Sequence, residues 1–229
     1  MRTVELENLL FMLIPIGVVG FIYFVWTKNY KEIVIATIRM ATQLILIGYI
    51  LIYIFDNSNP SLGIFITIFM ILVSSFIALR NINKKGFRAY RDFVISIGIG
   101  GTVNLFLVTI CVLNLEPFYQ PRFIIPLAGM IYANAMNATS LAAERFEKEI
   151  KNCRYIDARA IAIKAALIPQ INSFLAVGLV SLPGMMTGQI LSGVDPIVAV
   201  RYQIVVMAMV LGSAGFSIIT YLLLQKKYN

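Results

Sequence analysis

Histidine is absent from the 229 residues. Its absence removes imidazole-based zinc and haem sites, the Ser-His-Asp and Cys-His nucleophile pairs, and the usual side chain for moving protons near neutral pH. Cysteine is almost as scarce. Cys111 stands in an apolar stretch and Cys153 in a basic one, too far apart to build a disulfide framework. Charged residues make up 13% of the chain, where a soluble domain carries about 25%. No Gly-x-x-x-x-Gly-Lys-[Ser/Thr] run occurs, nor any Gly-Lys pair, so the phosphate-cradling loop of that class of nucleotide hydrolase is missing. The chain is therefore read as non-enzymatic and as binding no cofactor of its own; if ATP drives it, another polypeptide holds the nucleotide. The eleven Asp and Glu residues all fall in loops, tails or at the ends of apolar runs. Proton- and sodium-coupled carriers often place acids at mid-membrane, which weighs against a secondary carrier, although unwound backbone carbonyls would remain available to sodium.

What the chain has is apolar length. Hydrophobic residues make up 59% of it and the mean hydropathy is +0.84. Counted in membrane crossings of about 20 apolar residues each, this predicts one all-α transmembrane domain over 1–229, a polytopic bundle of about seven spans. The spans are placed at 9–26, 33–55, 62–79, 93–115, 123–143, 168–187 and 198–224. Polar punctuation marks the breaks: Asp56-Asn57-Ser58-Asn59-Pro60, Glu116-Pro117 and Gly193-Val194-Asp195-Pro196. In the last, Asp195 is suited to cap a helix that opens at Pro196.

The net charge of +8 sits in alternate loops. Lys28 and Lys31, then Arg80, Lys84, Lys85, Arg88 and Arg91, then Arg145, Lys148, Lys151, Arg154, Arg159 and Lys164, and finally Lys226 and Lys227 form one set; the other has Arg2, Arg122 and Arg201. Because cytoplasmic loops retain Lys and Arg, the pattern predicts an outside N-terminus, a cytoplasmic C-terminus and a plasma or inner membrane location. It points to the bilayer as partner and not to nucleic acid. Residues 142–167 are charged yet rich in Ala and Ile, with Ile156, Ala160, Ile163 and Leu167 at helical spacing. They are read as one amphipathic cytoplasmic helix, lying on headgroups or docking a partner protein.

Within the spans the polar side chains are amides and arginines. Arg39 and Gln43 lie one turn apart, suited either to snorkelling and helix pairing or to handling substrate. Met130, Asn134, Asn137 and Leu141 recur at i, i+4, i+7 and i+11, so two amides project from one stripe that must face protein or water. Gly129 with Ala133, and Gly98, Gly100 and Gly101, read as close helix packing. Pro183, Gly184, Gly188 and Gly193 favour a broken helix or re-entrant turn, which makes Met185, Met186, Thr187 and Gln189 pathway candidates. Methionine thioethers suit soft ions such as Cu(I) but are more often packing.

Three stretches carry a family likeness: Arg39-Met-Ala-Thr-Gln-Leu44; Pro126-Leu-Ala-Gly-Met-Ile-Tyr-Ala-Asn-Ala-Met-Asn-Ala-Thr-Ser-Leu141; and Ile168-Pro-Gln-Ile-Asn-Ser173 through Leu182-Pro-Gly-Met-Met-Thr-Gly-Gln-Ile-Leu-Ser-Gly-Val-Asp-Pro196 to Gln203. They resemble the FetB-type permeases, the membrane component of a two-gene ABC transporter assigned to iron export, with plant relatives linked to aluminium tolerance. The resemblance implies a permease that exports iron or another metal. It would pair with a separate ATPase that holds ATP and Mg, two permeases with two ATPases. It also implies a coupling role for the charged helix, and this chain's charge pattern suggests Glu144, Arg145, Glu149, Arg154 and Arg159 as the ATPase contacts. Plant relatives are also associated with a nucleotide sugar, whose phosphates would suit Arg39 and Arg201 better than a cation would. A secondary carrier and a non-transport assembly or sensor role stand as the other readings.

Overall fold

The computed structural model describes residues 5–29, 31–56, 59–83 and 85–226; Arg2, Lys84 and Lys227 of the charge pattern lie outside them. The described residues form helices joined by turns, with one isolated bridge between Val177 and Ser181 and no strand. They fall into two compact units, Met1–Asn57 and Ser58–Asn229.

The first unit is a helical hairpin. Short helical turns at Leu6–Leu9 and Leu10–Met12 lead into α1 (Leu13–Thr27), and α2 runs from Lys31 to Asp56. Lys28 ends α1 in the left-handed region at φ 58°, its N–H donating to the Phe24 carbonyl. Tyr23 donates its hydroxyl to Glu32 across the turn. Gly20 brings the helices close, since a Cβ there would sit 3.6 Å from Ile33. Apart from that seam the apolar side chains point outward, and Ile54 is the one buried residue described in the two helices. Such a surface needs lipid or protein around it.

The second unit contains α3 (Pro60–Ala78), α4 (Phe87–Phe106), α5 (Pro121–Glu149), α6 (Tyr155–Ala176), α7 (Gly184–Leu191) and α8 (Pro196–Gln225). Caps set several of the starts. Asn59 accepts from the Ser61 N–H ahead of Pro60, and Asp195 accepts from Ile197 and Val198 ahead of Pro196, as its spacing predicts. At its far end α4 passes into a π-helical stretch, Leu107–Val112.

Close contact between helices holds this unit together, because in lipid apolar burial adds little to helix association. Alanines supply the approach. Ala135, Ala138 and Ala142 are buried on α5, and Ala158, Ala162 and Ala166 on α6. Gly100 lies against Ser217 of α8, and Gly101 against the Tyr132 ring of α5. Phe93 stacks on Tyr221 with centroids 4.9 Å apart. Polar ties cross the seams: Asn81 donates to the Ser140 hydroxyl at 3.1 Å, and that hydroxyl reaches the Ala78 carbonyl at 3.1 Å.

Among the described residues, five helical segments are long and apolar enough to cross a membrane: Glu7–Thr27, Lys31–Asp56, Pro60–Asn81, Phe87–Val112 and Pro196–Gln225. They match five of the seven spans read from the sequence. The span placed at 123–143 lies within α5, whose Asn134, Asn137, Thr139 and Ser140, followed by a charged end, lower its hydropathy. The span placed at 168–187 is not one helix. Its first half completes α6, the chain turns over 177–183 with Gly178 at φ 81°, and α7 takes up the rest.

The single amphipathic helix placed at 142–167 is also corrected. Helix α5 continues through Glu149, the chain turns over 150–154, and α6 begins at Tyr155. The turn is held by tertiary contacts. Cys153 Sγ bonds the Glu149 carbonyl at 3.2 Å, the Phe146 and Tyr155 rings meet edge-on at 5.9 Å, and the Tyr155 hydroxyl donates to the Leu222 carbonyl at 2.7 Å. On α6 the buried stripe is Ala158, Ala162 and Ala166, while Ile156 and Ala160 face outward. Small residues mark this seam because they let the backbones meet.

Candidate functional site: a cavity at one end of the second unit

The end of the second unit remote from the α5–α6 turn holds a cavity of about 470 Å³. Four stretches wall it: Val108 and Leu113 around the π-helical end of α4; Arg122, Phe123, Pro126, Leu127 and Met130 from the first turns of α5; Met185, Gln189 and Val194 from α7 and its exit; and Tyr202, Val205 and Val206 from α8. The Leu113 N–H reaches back five residues to the Val108 carbonyl at 2.9 Å, so the wider π turn sets this wall. Such a volume suits a small molecule.

The broken segment earns its place in the site. The turn over 177–183 frees α7 from α6 and lays it against α8, bringing Met185 and Gln189 to the cavity beside Met130. The side-chain oxygen of Gln189 is sealed from solvent with no hydrogen-bond partner among the described residues, as are those of Gln170 and Gln203. A buried acceptor left this way costs about 1–3 kcal/mol.

The other pathway candidates are placed elsewhere. Asn134 is half-buried and donates its amide to the Met130 carbonyl of its own helix at 2.8 Å. Asn137 and Leu141 are exposed on the same face. Thr187 spends its hydroxyl on the Pro183 carbonyl at 3.1 Å, Met186 is half-buried off the cavity wall, and Arg201 is exposed and off it too. Arg39 and Gln43 lie one turn apart on α2 in the first unit, both exposed, whereas the cavity is built by the second unit alone. Arg122, read from sequence only as a loop cation, is the charged residue on the wall. The signal was available: stepping back from Met130 by four residues gives Pro126 and then Arg122, the same helical stripe.

At the opposite end, the residues singled out for coupling gather at the α5–α6 turn. Glu144 pairs with Lys148 at 2.6 Å and Arg145 with Glu149 at 2.8 Å, each one turn along α5. Arg154 pairs with Asp157 at 3.2 Å, and Arg159 lies over the Tyr155 ring, 5.6 Å from its centroid. Behind this turn a second cavity of about 520 Å³ is bordered by Lys85, Arg88, Asp92, Glu147 and Lys151. In the loop between α4 and α5, burial pushes the Tyr119 phenol above its ordinary pKa, and its hydroxyl has no partner among the described residues.

The sequence profile of an uncharacterised protein family, UPF0014, matches residues 6–156 and 155–228. The chain is 37% identical over 220 residues to the probable iron export permease protein FetB of Escherichia coli, covering 87% of this chain and 82% of that one. It is 35% identical over 189 residues to the UPF0014 membrane protein slr1647 of Synechocystis, covering 76% and 73%. It is 34% identical over 208 residues to protein ALUMINUM SENSITIVE 3 of Arabidopsis thaliana, covering 82% and 74%. No solved structure matches it. With the profile spanning nearly the whole chain and its long apolar helices accounted for, the chain belongs to the UPF0014 family of multi-pass membrane proteins.

Proposed function

We propose that the chain is the permease subunit of an ABC exporter that moves iron or another metal, energised by a separate ATPase chain that supplies the ATP and Mg site. The observation that carries this reading is the layout of α5, a single helix with a cavity at its start and a charged docking corner at its end. Displacement of the corner by a closing ATPase would travel along α5 to the wall formed by Arg122, Pro126 and Met130. Through the bond from Tyr155 to the Leu222 carbonyl the same displacement would reach α8, which forms the facing wall. Packed helices of this kind shift between discrete arrangements and do not deform continuously. The FetB relative is named a probable iron export permease, which supports both the cargo and the outward direction. The exposed Asn137 on α5 would face protein or water in the membrane, which supports assembly with a second permease copy.

The test is ATP hydrolysis by the purified permease–ATPase complex in lipid, titrated with free and chelated iron, other divalent metals and nucleotide sugars. Hydrolysis that rises with iron and is absent from the permease alone is expected. Transport by the permease alone in liposomes, down an ion gradient, would overturn the reading.

A further inference from the structure

The walls of the 470 Å³ cavity are poor in groups that bind a bare metal ion. They carry two thioethers, one carboxamide and one phenol among apolar side chains, and no carboxylate, thiolate or imidazole. Among the described residues no group of three His, Cys, Asp or Glu side chains could hold a metal ion. Iron prefers oxygen, imidazole or thiolate donors, and thioethers alone serve it badly.

The electrostatics point the other way. Arg122 is the charged residue on the wall, and it forms no ion pair or hydrogen bond among the described residues. Two helices also present their N-terminal turns there: Arg122 and Phe123 come from the start of α5, and Met185 from the start of α7. Helix N-termini carry partial positive charge, so the dipoles add to the guanidinium. A cation entering the cavity would meet repulsion, and a carboxylate would meet a planar fork that fits it.

We infer that this cavity takes an organic anion, a carboxylate with an apolar body, and that a metal cargo enters it enclosed in such a ligand and not as the bare ion. The inference rests on reading the cavity as part of the transport path. The carboxylate lies on Arg122, and the body packs against Phe123, Leu127, Met130 and Val206.

Isothermal titration of the full chain in lipid nanodiscs tests this with 2,3-dihydroxybenzoate, alone and with one equivalent of ferric ion. Catechol serves as the same ring without the carboxylate, and ferrous chloride as the bare ion. Both forms of the dihydroxybenzoate are expected to bind about ten-fold or more tightly than catechol, a margin that Arg122→Gln abolishes. Lys85→Gln, at the opposite end, leaves all four titrations unchanged. Saturable binding of ferrous chloride that tightens in Arg122→Gln, or carboxylate binding indifferent to that substitution, overturns the inference. Arg122-dependent binding without any stimulation of ATP hydrolysis in the complex would keep the ligand chemistry and sink the transport reading instead.

Discussion

At Gly100 a single added methyl group would decide whether α4 and α8 can meet. Its Cβ would lie 2.6 Å from the Ser217 backbone nitrogen and 2.9 Å from its Cα, atoms that cannot move without shifting the helix. Gly100→Ala is expected to destabilise the protein by about 1–3 kcal/mol, as overpacking does. Gly129→Ala, where nothing lies within 4 Å, should be neutral or stabilising by up to about 1 kcal/mol through helix propensity. Thermal unfolding of both variants in nanodiscs, followed by far-ultraviolet circular dichroism, separates the two; equal midpoints would refute the packing argument. Glycines at 98, 100 and 101 are legible in the sequence as a packing surface, but their partners are not. Gly101 sits under Tyr132, Gly100 against Ser217, and Gly98 in ordinary contact with Ile71.

Among the elements, the α5–α6 turn is where sequence periodicity misleads. Charge and alanine continue without a glycine or proline from 142 to 168, so a single helix is the natural reading. The break comes from elsewhere in the molecule: Tyr155 is anchored to the last turns of α8, and Phe146 closes against its ring. The outcome places Arg154 and Arg159 at the opening of α6, with Arg154 largely exposed. Arg154→Glu combined with Arg159→Glu is expected to cut copurification of the proposed ATPase partner several-fold while membrane insertion is retained, because it reverses two charges on the outer face of the corner. Unchanged copurification would remove the corner from the coupling role. The broken segment after Pro169 is better marked, since Gly178, Pro183 and Gly184 punctuate it. The positive φ of Gly178 is what the turn requires.

On the scale of the whole molecule, the alternate basic loops predict an orientation that labelling can test. The corner bearing Arg145, Lys148, Lys151 and Arg154 is expected to face the cytoplasm. Cys153 lies in that corner and is half-buried, which makes it a reporter. In a Cys111→Ala background, a membrane-impermeant maleimide should leave Cys153 unlabelled in intact cells and label it after the membrane is opened. Labelling of intact cells would invert the topology. The same orientation would put the 470 Å³ cavity toward the outside.

The sequence by itself determined the class of this protein. Its hydropathy, scarce charge and long apolar runs leave no soluble alternative, and its capping residues Asn59 and Asp195 set two helix starts through local hydrogen bonds. It also carried the family, through stretches long enough to be distinctive. Tertiary structure decided the site. Arg122, Met130, Gln189 and Tyr202 come from three helices separated by up to 80 residues, and only the turn that folds α7 onto α8 brings them round one cavity. Helical periodicity shows which residues share a face of one element, but which faces meet depends on small-residue seams and buried hydrogen bonds between elements, and these are properties of pairs of segments.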